Sequence, residues 1–266
     1  MGGVSARGVQ RTITAVTLAS ALLLTACRND TATTVDVPTP TADTGHETLP
    51  AIERFSALWQ AIHQAEAPQS LEPLLIAAAE VQDAVMLLDD SQQAWLERLD
   101  ADRFAQLQSE VPGFVFHRGY DIHAEIDGPA LLALAQSSGR PADVAFFEQF
   151  VASYSDQALP VYLRFADSAS PCVRFGEPVL LDQYAAWQQF RAQHPDSYGD
   201  FSRQWLADIE DVVAHGTCTC TEAQAPVEQT LSEFIERFPE TTVRPQVVAR
   251  LTQLRDDPYE KPVWCR

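Results

Sequence analysis

Positive charge is scarce in this sequence. Lysine occurs once, at Lys261, and arginine supplies every other permanent cation, so Lys and Arg total 18 against 37 Asp and Glu. The net charge of −19 argues against nucleic acid as a partner and against an electrostatic contact with an anionic membrane. Glycine is also sparse, at 11 of 266 residues, and neither a dinucleotide glycine pattern nor a Walker loop occurs. G-x-S-x-G and H-E-x-x-H are absent, and the single lysine near the end rules out Ser-x-x-Lys. Asparagine occurs once, at Asn29, beside abundant alanine, which points to a GC-rich genome rather than to a function. Carboxylate pairs are too plentiful in so acidic a chain to single one out. These absences weaken the case for an enzyme and favour a binding or scaffold protein, with no cofactor expected.

Long hydrophobic runs are missing too, except from Ile13 to Leu24. That run follows Arg7 and Arg11, contains no acidic residue, and is short for a bilayer span, which needs about 20 residues. A charged start and a short apolar core describe a secretory signal over residues 1–26. Its end, Leu24-Thr25-Ala26-Cys27, resembles the lipobox of bacterial lipoproteins. The resemblance implies diacylglycerol on the Cys27 thiol, cleavage before that residue, and a third acyl chain such as palmitate on the new amine. Two or more chains give stable anchoring where one does not. Arg28 stands where an Asp marks inner-membrane retention in proteobacterial lipoproteins, so the resemblance implies the outer membrane, on its periplasmic side. Loss of Arg7 and Arg11 takes the net charge from −19 to −21.

Residues 27–49 are rich in Thr, Asp and Pro and hold no aromatic residue, which describes a disordered tether with a reach of roughly 25 Å. From residue 50 to 266 the composition turns to Ala, Leu, Phe and Trp, enough for one domain or for closely packed halves at 50–140 and 141–266. With Cys27 assigned to lipid, Cys172, Cys218, Cys220 and Cys265 remain, and an even number in an exported chain argues for two disulfides. Cys218 and Cys220 are too close to pair comfortably. Cys172 therefore joins one of them and Cys265 the other, each loop contributing about 2–4 kcal/mol. A competing reading takes His215-x-x-Cys218-x-Cys220 as a soft-metal site.

Apolar spacing predicts a mainly α domain of antiparallel helical hairpins, irregular and solenoid-like. Ile52, Phe55, Trp59 and Ile62 mark a first helix. Ser70 caps a second, with Leu71, Leu74, Leu75, Ala78, Val81, Val85 and Leu88 along one face. Asp90 and Gln93 resemble the capping box of a third helix carrying Trp95, Leu99 and Leu107. The period then changes to two. Phe114-Val115-Phe116 and Tyr120 to Ile126 alternate around Arg118-Gly119, a β-hairpin near residues 114–126. Asp127 caps the next helix, Gly139 ends it, and Pro141 opens another running to about Tyr154. The tryptophans, Trp59, Trp95, Trp187, Trp205 and Trp264, fall one to a segment, as core anchors do.

A phrase recurs in the second half: Phe150 to Asp156, Phe190 to Asp196 and Phe234 to Glu240, spaced by 40 and then 44 residues. It resembles the turn of periplasmic tetratricopeptide-type helix pairs, although the Trp-Leu-Gly-Tyr positions of that family are missing.

The best candidate for chemistry lies in the hairpin. Strand alternation puts Asp121, His123, Glu125 and Asp127 on one face, with His117 close by. Carboxylates and imidazoles on one face suit a divalent cation or acid–base work. The plainer reading has Ile122, Ala124 and Ile126 facing the core and the polar set facing water. The expectation is a non-enzymatic protein-binding or scaffold lipoprotein of the cell envelope. Its alternatives are an acidic inhibitor or immunity protein against a basic envelope-attacking hydrolase, and a hydrolase using Asp121, His123 and Glu125.

Overall fold

A helix with apolar residues every three or four positions must bury that stripe against a neighbour, and the first two helices do so on each other. In the computed structural model α1 (Pro50–His63) buries Ile52, Phe55 and Ile62, while α2 (Glu72–Met86) buries Leu74, Leu75, Ala78, Val81 and Val85. Arg54 of α1 pairs with Glu80 of α2 across the exposed side of the contact. The structure describes residues 49–256 apart from 89–92, 120–121, 157, 166–169, 217 and 222. The expected signal, Cys27, the expected tether except Leu49, and Asp90, Asp121, Trp264 and Cys265 lie outside the described residues. Among the described residues no helix is long and apolar enough to cross a membrane.

Two expectations for this half need correction. Leu88 is exposed, because α2 ends at Met86 and Leu87 turns extended (ψ 127°). The third helix is two: α3 (Trp95–Arg98) stops at the extended Leu99, and α4 (Ala101–Glu110) restarts after it. The break belongs to Asp100, whose carboxylate accepts from the Arg103 N–H at 2.7 Å and caps α4. Trp95, Leu99 and Leu107 are buried as the spacing requires.

Strands β1 (Phe114–His117) and β2 (His123–Ile126) form the expected antiparallel hairpin, pairing Phe114 with Ile126 and His117 with His123. A two-stranded ribbon has two unpaired edges, and both are occupied here. The Gln108 carboxamide of α4 donates to the Phe116 carbonyl (2.7 Å) and accepts from the Phe116 N–H (3.0 Å). On the other edge Gln82 of α2 donates to the Ala124 carbonyl at 2.9 Å. Gly113 leads into β1 with φ +86°, and a Cβ there would sit 2.7 Å from the Trp59 ring. Gly113→Ala is therefore expected to cost about 1–3 kcal/mol, read as a lower midpoint in chemical denaturation.

Asp127 caps α5 (Gly128–Ser138) by accepting from the Ala130 N–H at 2.9 Å, and α6 runs Pro141–Ala152. A second hairpin follows that no period in the sequence announces: β3 (Leu163–Phe165) pairs with β4 (Pro171–Val173). Then come α7 (Val179–Gln193), α8 (Gly199–His215), α9 (Gln224–Arg237) and α10 (Arg244–Asp256). The recurring phrase ends α7 and α9 alike. His194 and Phe238 cap them with nearly the same backbone, φ/ψ −132°/61° and −128°/62°, above buried Phe190 and Phe234. The first copy departs: α6 ends through Ser153 in a helical conformation and leads to the β3–β4 hairpin, not to a partner helix.

Contacts run across the 140/141 boundary, where α5 packs on α6. Asp143, with no exposed surface, ties three elements together. It accepts from the Leu71 N–H (3.0 Å), the Arg140 N–H (2.7 Å) and side chain (3.1 Å), and the Tyr198 hydroxyl (2.6 Å). Tyr198 holds a left-handed backbone (φ 53°) before α8 and stacks on Phe146 at 3.8 Å. Farther along, Arg250 of α10 donates to the carbonyls of Val212 (2.9 Å), Val213 (2.8 Å) and Gly216, closing the C-terminus of α8. Burial lowers its pKa to about 10, so it remains a cation at neutral pH.

Candidate functional site

One side of α2 carries Leu75, Ala79, Gln82 and Met86 at steps of four, three and four. This stripe forms one wall of a cleft of about 790 Å³. β2 contributes His123 to Ile126, α5 its first residues Gly128 and Pro129, and the opposite wall is aromatic: Phe150, Tyr154, Phe201 and Trp205. The aromatic wall is held from behind. Tyr154 meets Trp205 edge-on at 5.3 Å and Phe150 at 5.0 Å, and Trp205 stacks on buried Trp187 at 5.7 Å. Trp187 in turn donates its indole N–H to Ser153 at 3.1 Å. Met86 is 55% exposed, so apolar surface is open to solvent at the mouth.

The charged lining is of one kind. Glu125 and Asp156 line the cleft with His123, and among the described residues no arginine does. Behind the aromatic wall, burial pushes the Tyr154 hydroxyl up, and nearby Asp208 adds to that shift. Asp208 is itself raised by burial, against a hydrogen bond from Gln204 that lowers it. Ala158, also in the lining, holds φ +56°, a conformation that costs a non-glycine residue energy and gathers at ligand sites. The volume, the mostly apolar walls and the few polar groups describe a ligand site.

At the hairpin end, the structure brings together His117, His123 and Glu125. The two imidazoles face each other across the strands and stack, with centroids 4.4 Å apart and planes 12° apart. His117 Nε2 lies 3.0 Å from Glu125 Oε2. Asp121 lies outside the described residues. Asp127 is spent on the α5 cap and does not join them. Ala124 is buried behind the group, with Ile122 and Ile126 partly buried against the core. An imidazole against a carboxylate can hold a proton or a cation.

The cysteine motif does not make a metal site. Cys172 is bonded to Cys220 (Cα–Cα 5.0 Å) and Cys218 is disulfide-bonded too, so no thiolate is available there. His215 instead pairs with Asp211 on the exposed side of α8. The pairing expected for Cys265 lies outside the described residues. Trp95 and Trp187 are core anchors, whereas Trp59 and Trp205 are only partly buried and Trp205 forms cleft wall. The aromatic wall is invisible to sequence patterns because Phe150, Tyr154, Phe201 and Trp205 come from two regions far apart in the chain. A faint signal exists in α2, whose Ala79, Gln82 and Met86 lie off the buried stripe at helical steps.

No protein-family model, curated protein or solved structure matches this chain.

Proposed function

We propose that this chain is an envelope lipoprotein, anchored through Cys27 to the outer membrane, that uses its cleft to bind a segment of a basic partner protein. The anchor rests on Leu24-Thr25-Ala26-Cys27 and the Thr-rich tether. The binding role rests on one observation above the others: an open, aromatic-walled cleft whose charged lining, among the described residues, is acidic beside one histidine. Such a lining suits an apolar segment carrying Arg or Lys, since its side chains fill the walls while its cations meet Glu125 and Asp156. The net charge, −21 once Arg7 and Arg11 are gone with the signal, would draw such a partner in from a distance, and a basic secreted hydrolase has that chemistry. Binding without catalysis fits the absence of nucleophile motifs from the sequence.

Fluorescence anisotropy with two labelled peptides of equal length, one of Leu and Arg and one of Leu and Glu, tests the reading. The full chain is expected to bind the basic peptide only, more weakly as salt rises. Ala79→Arg places bulk and positive charge in the cleft and is expected to weaken binding by about 10-fold or more, on the order of 1.4 kcal/mol. Equal binding of both peptides, or no response to Ala79→Arg, would sink the proposal.

A further inference from the structure

We infer that His117, His123 and Glu125 are a binding site for a divalent transition-metal ion of the zinc class. Two imidazoles and a carboxylate form the donor set of open zinc centres, with three protein ligands and a fourth position for water or a bound molecule. Calcium and magnesium take oxygen donors and would have no use for the imidazoles.

Geometry supports the assignment further than composition does. His117 and His123 are direct partners in the β1–β2 register, and Glu125 follows His123 by two residues, so all three side chains stand on one face. One ligand atom from each lies within 4.8 Å of the other two, and among the described residues no other such group of three forms. A tetrahedral ion with bonds of ~2.0–2.1 Å needs donors about 3.4 Å apart, so closure takes side-chain shifts of roughly 1 Å. The His117 and Glu125 side chains are 40% and 37% exposed and have room to rotate. The backbone beneath is fixed, with Phe116 clamped by Gln108 and Ala124 by Gln82. A bound ion would replace the His117–Glu125 contact and staple β1 to β2. The fourth position would adjoin the cleft, because His123 and Glu125 also line it. The site depends on these three side chains alone and stands whether or not the cleft takes a peptide.

The test is titration of the full-length, untagged chain with zinc chloride by calorimetry and with cobalt chloride by visible absorption. One ion per chain is expected, with cobalt bands of a nitrogen–oxygen ligand field. His117→Ala and His123→Ala should each weaken zinc by more than about 10-fold. Glu125→Gln, which keeps the side-chain shape, should do the same and decides the matter if a histidine variant proves unstable by circular dichroism. His215→Ala serves as the control and should leave zinc binding unchanged. A wild-type chain that takes up neither metal, or affinity indifferent to His123→Ala and Glu125→Gln, overturns the assignment. Repeating the peptide measurement with a chelator present separates this outcome from that of the cleft.

Discussion

Asp143→Ala is expected to remove about 3–5 kcal/mol of folding stability, among the largest losses a single substitution in this chain could cause. The carboxylate is fully buried, and its removal strands the Leu71 N–H, the Arg140 N–H and the Tyr198 hydroxyl at once, while the half-exposed Arg140 side chain keeps its bond to Ser70. These groups start α2, α6 and α8, so the loss spreads over the whole described fold. Tyr198→Phe deletes one hydrogen bond and should cost only about 1–2 kcal/mol, and the double variant should fall short of the sum because the residues share a network. The pH dependence has a definite sign. Burial alone would raise the Asp143 pKa, but the Arg140 side chain, Tyr198 and the two backbone N–H groups together outweigh it and hold it below the ordinary value. A carboxylate depressed in the folded state stabilises fully above its unfolded pKa, near 3.9, and ceases to as pH falls through the lower folded value. Acid titration of wild type should therefore show stability draining away below about pH 4, and Asp143→Asn should flatten that limb. Unchanged acid limbs in the two proteins would contradict the assignment.

Loss of the Cys172–Cys220 bond should have the next largest effect. It joins residues 48 apart, and removing that constraint from the unfolded chain is expected to cost about 4 kcal/mol, less any strain relieved. The loss should be visible as a lower urea midpoint for the Cys172→Ser, Cys220→Ser double variant. Its local signature should be faster amide exchange where the chain crosses β4, because the Val173 N–H donates to the Cys218 carbonyl and the Cys220 N–H to the Val173 carbonyl, both at 2.9 Å. A change below about 1 kcal/mol would mean that the loop is held by packing instead.

How much of this is legible in the sequence follows from which signals are local. The helices are, because Ile52, Phe55 and Ile62, or Leu74, Ala78 and Val81, repeat with the period of the backbone that buries them. The β1–β2 hairpin is legible from the switch to alternation, and the caps at Asp127 and Gly139 from residue chemistry. Asp100 is hidden as a helix start because Leu99 and Leu107 keep the same stripe across it. Strands β3 and β4 are three residues each, too short to show a period. Asp143 gives no sign of burial, since its partners at 71 and 198 are distant in sequence. The cation site is half legible: alternation places His123 and Glu125 on one face, but only the register shows that His117 meets them. The cleft is least legible, being shaped by how α2, α6 and α8 are set around β2.

Hydrogen exchange of the full chain with and without the Leu/Arg peptide tests the cleft most directly. Binding at the cleft should protect amides in α2 from 79 to 86, in β2 from 123 to 126, and around 150 to 158, while leaving α9 and α10 unchanged. Protection confined to α9 and α10, or none at saturating peptide, would contradict it.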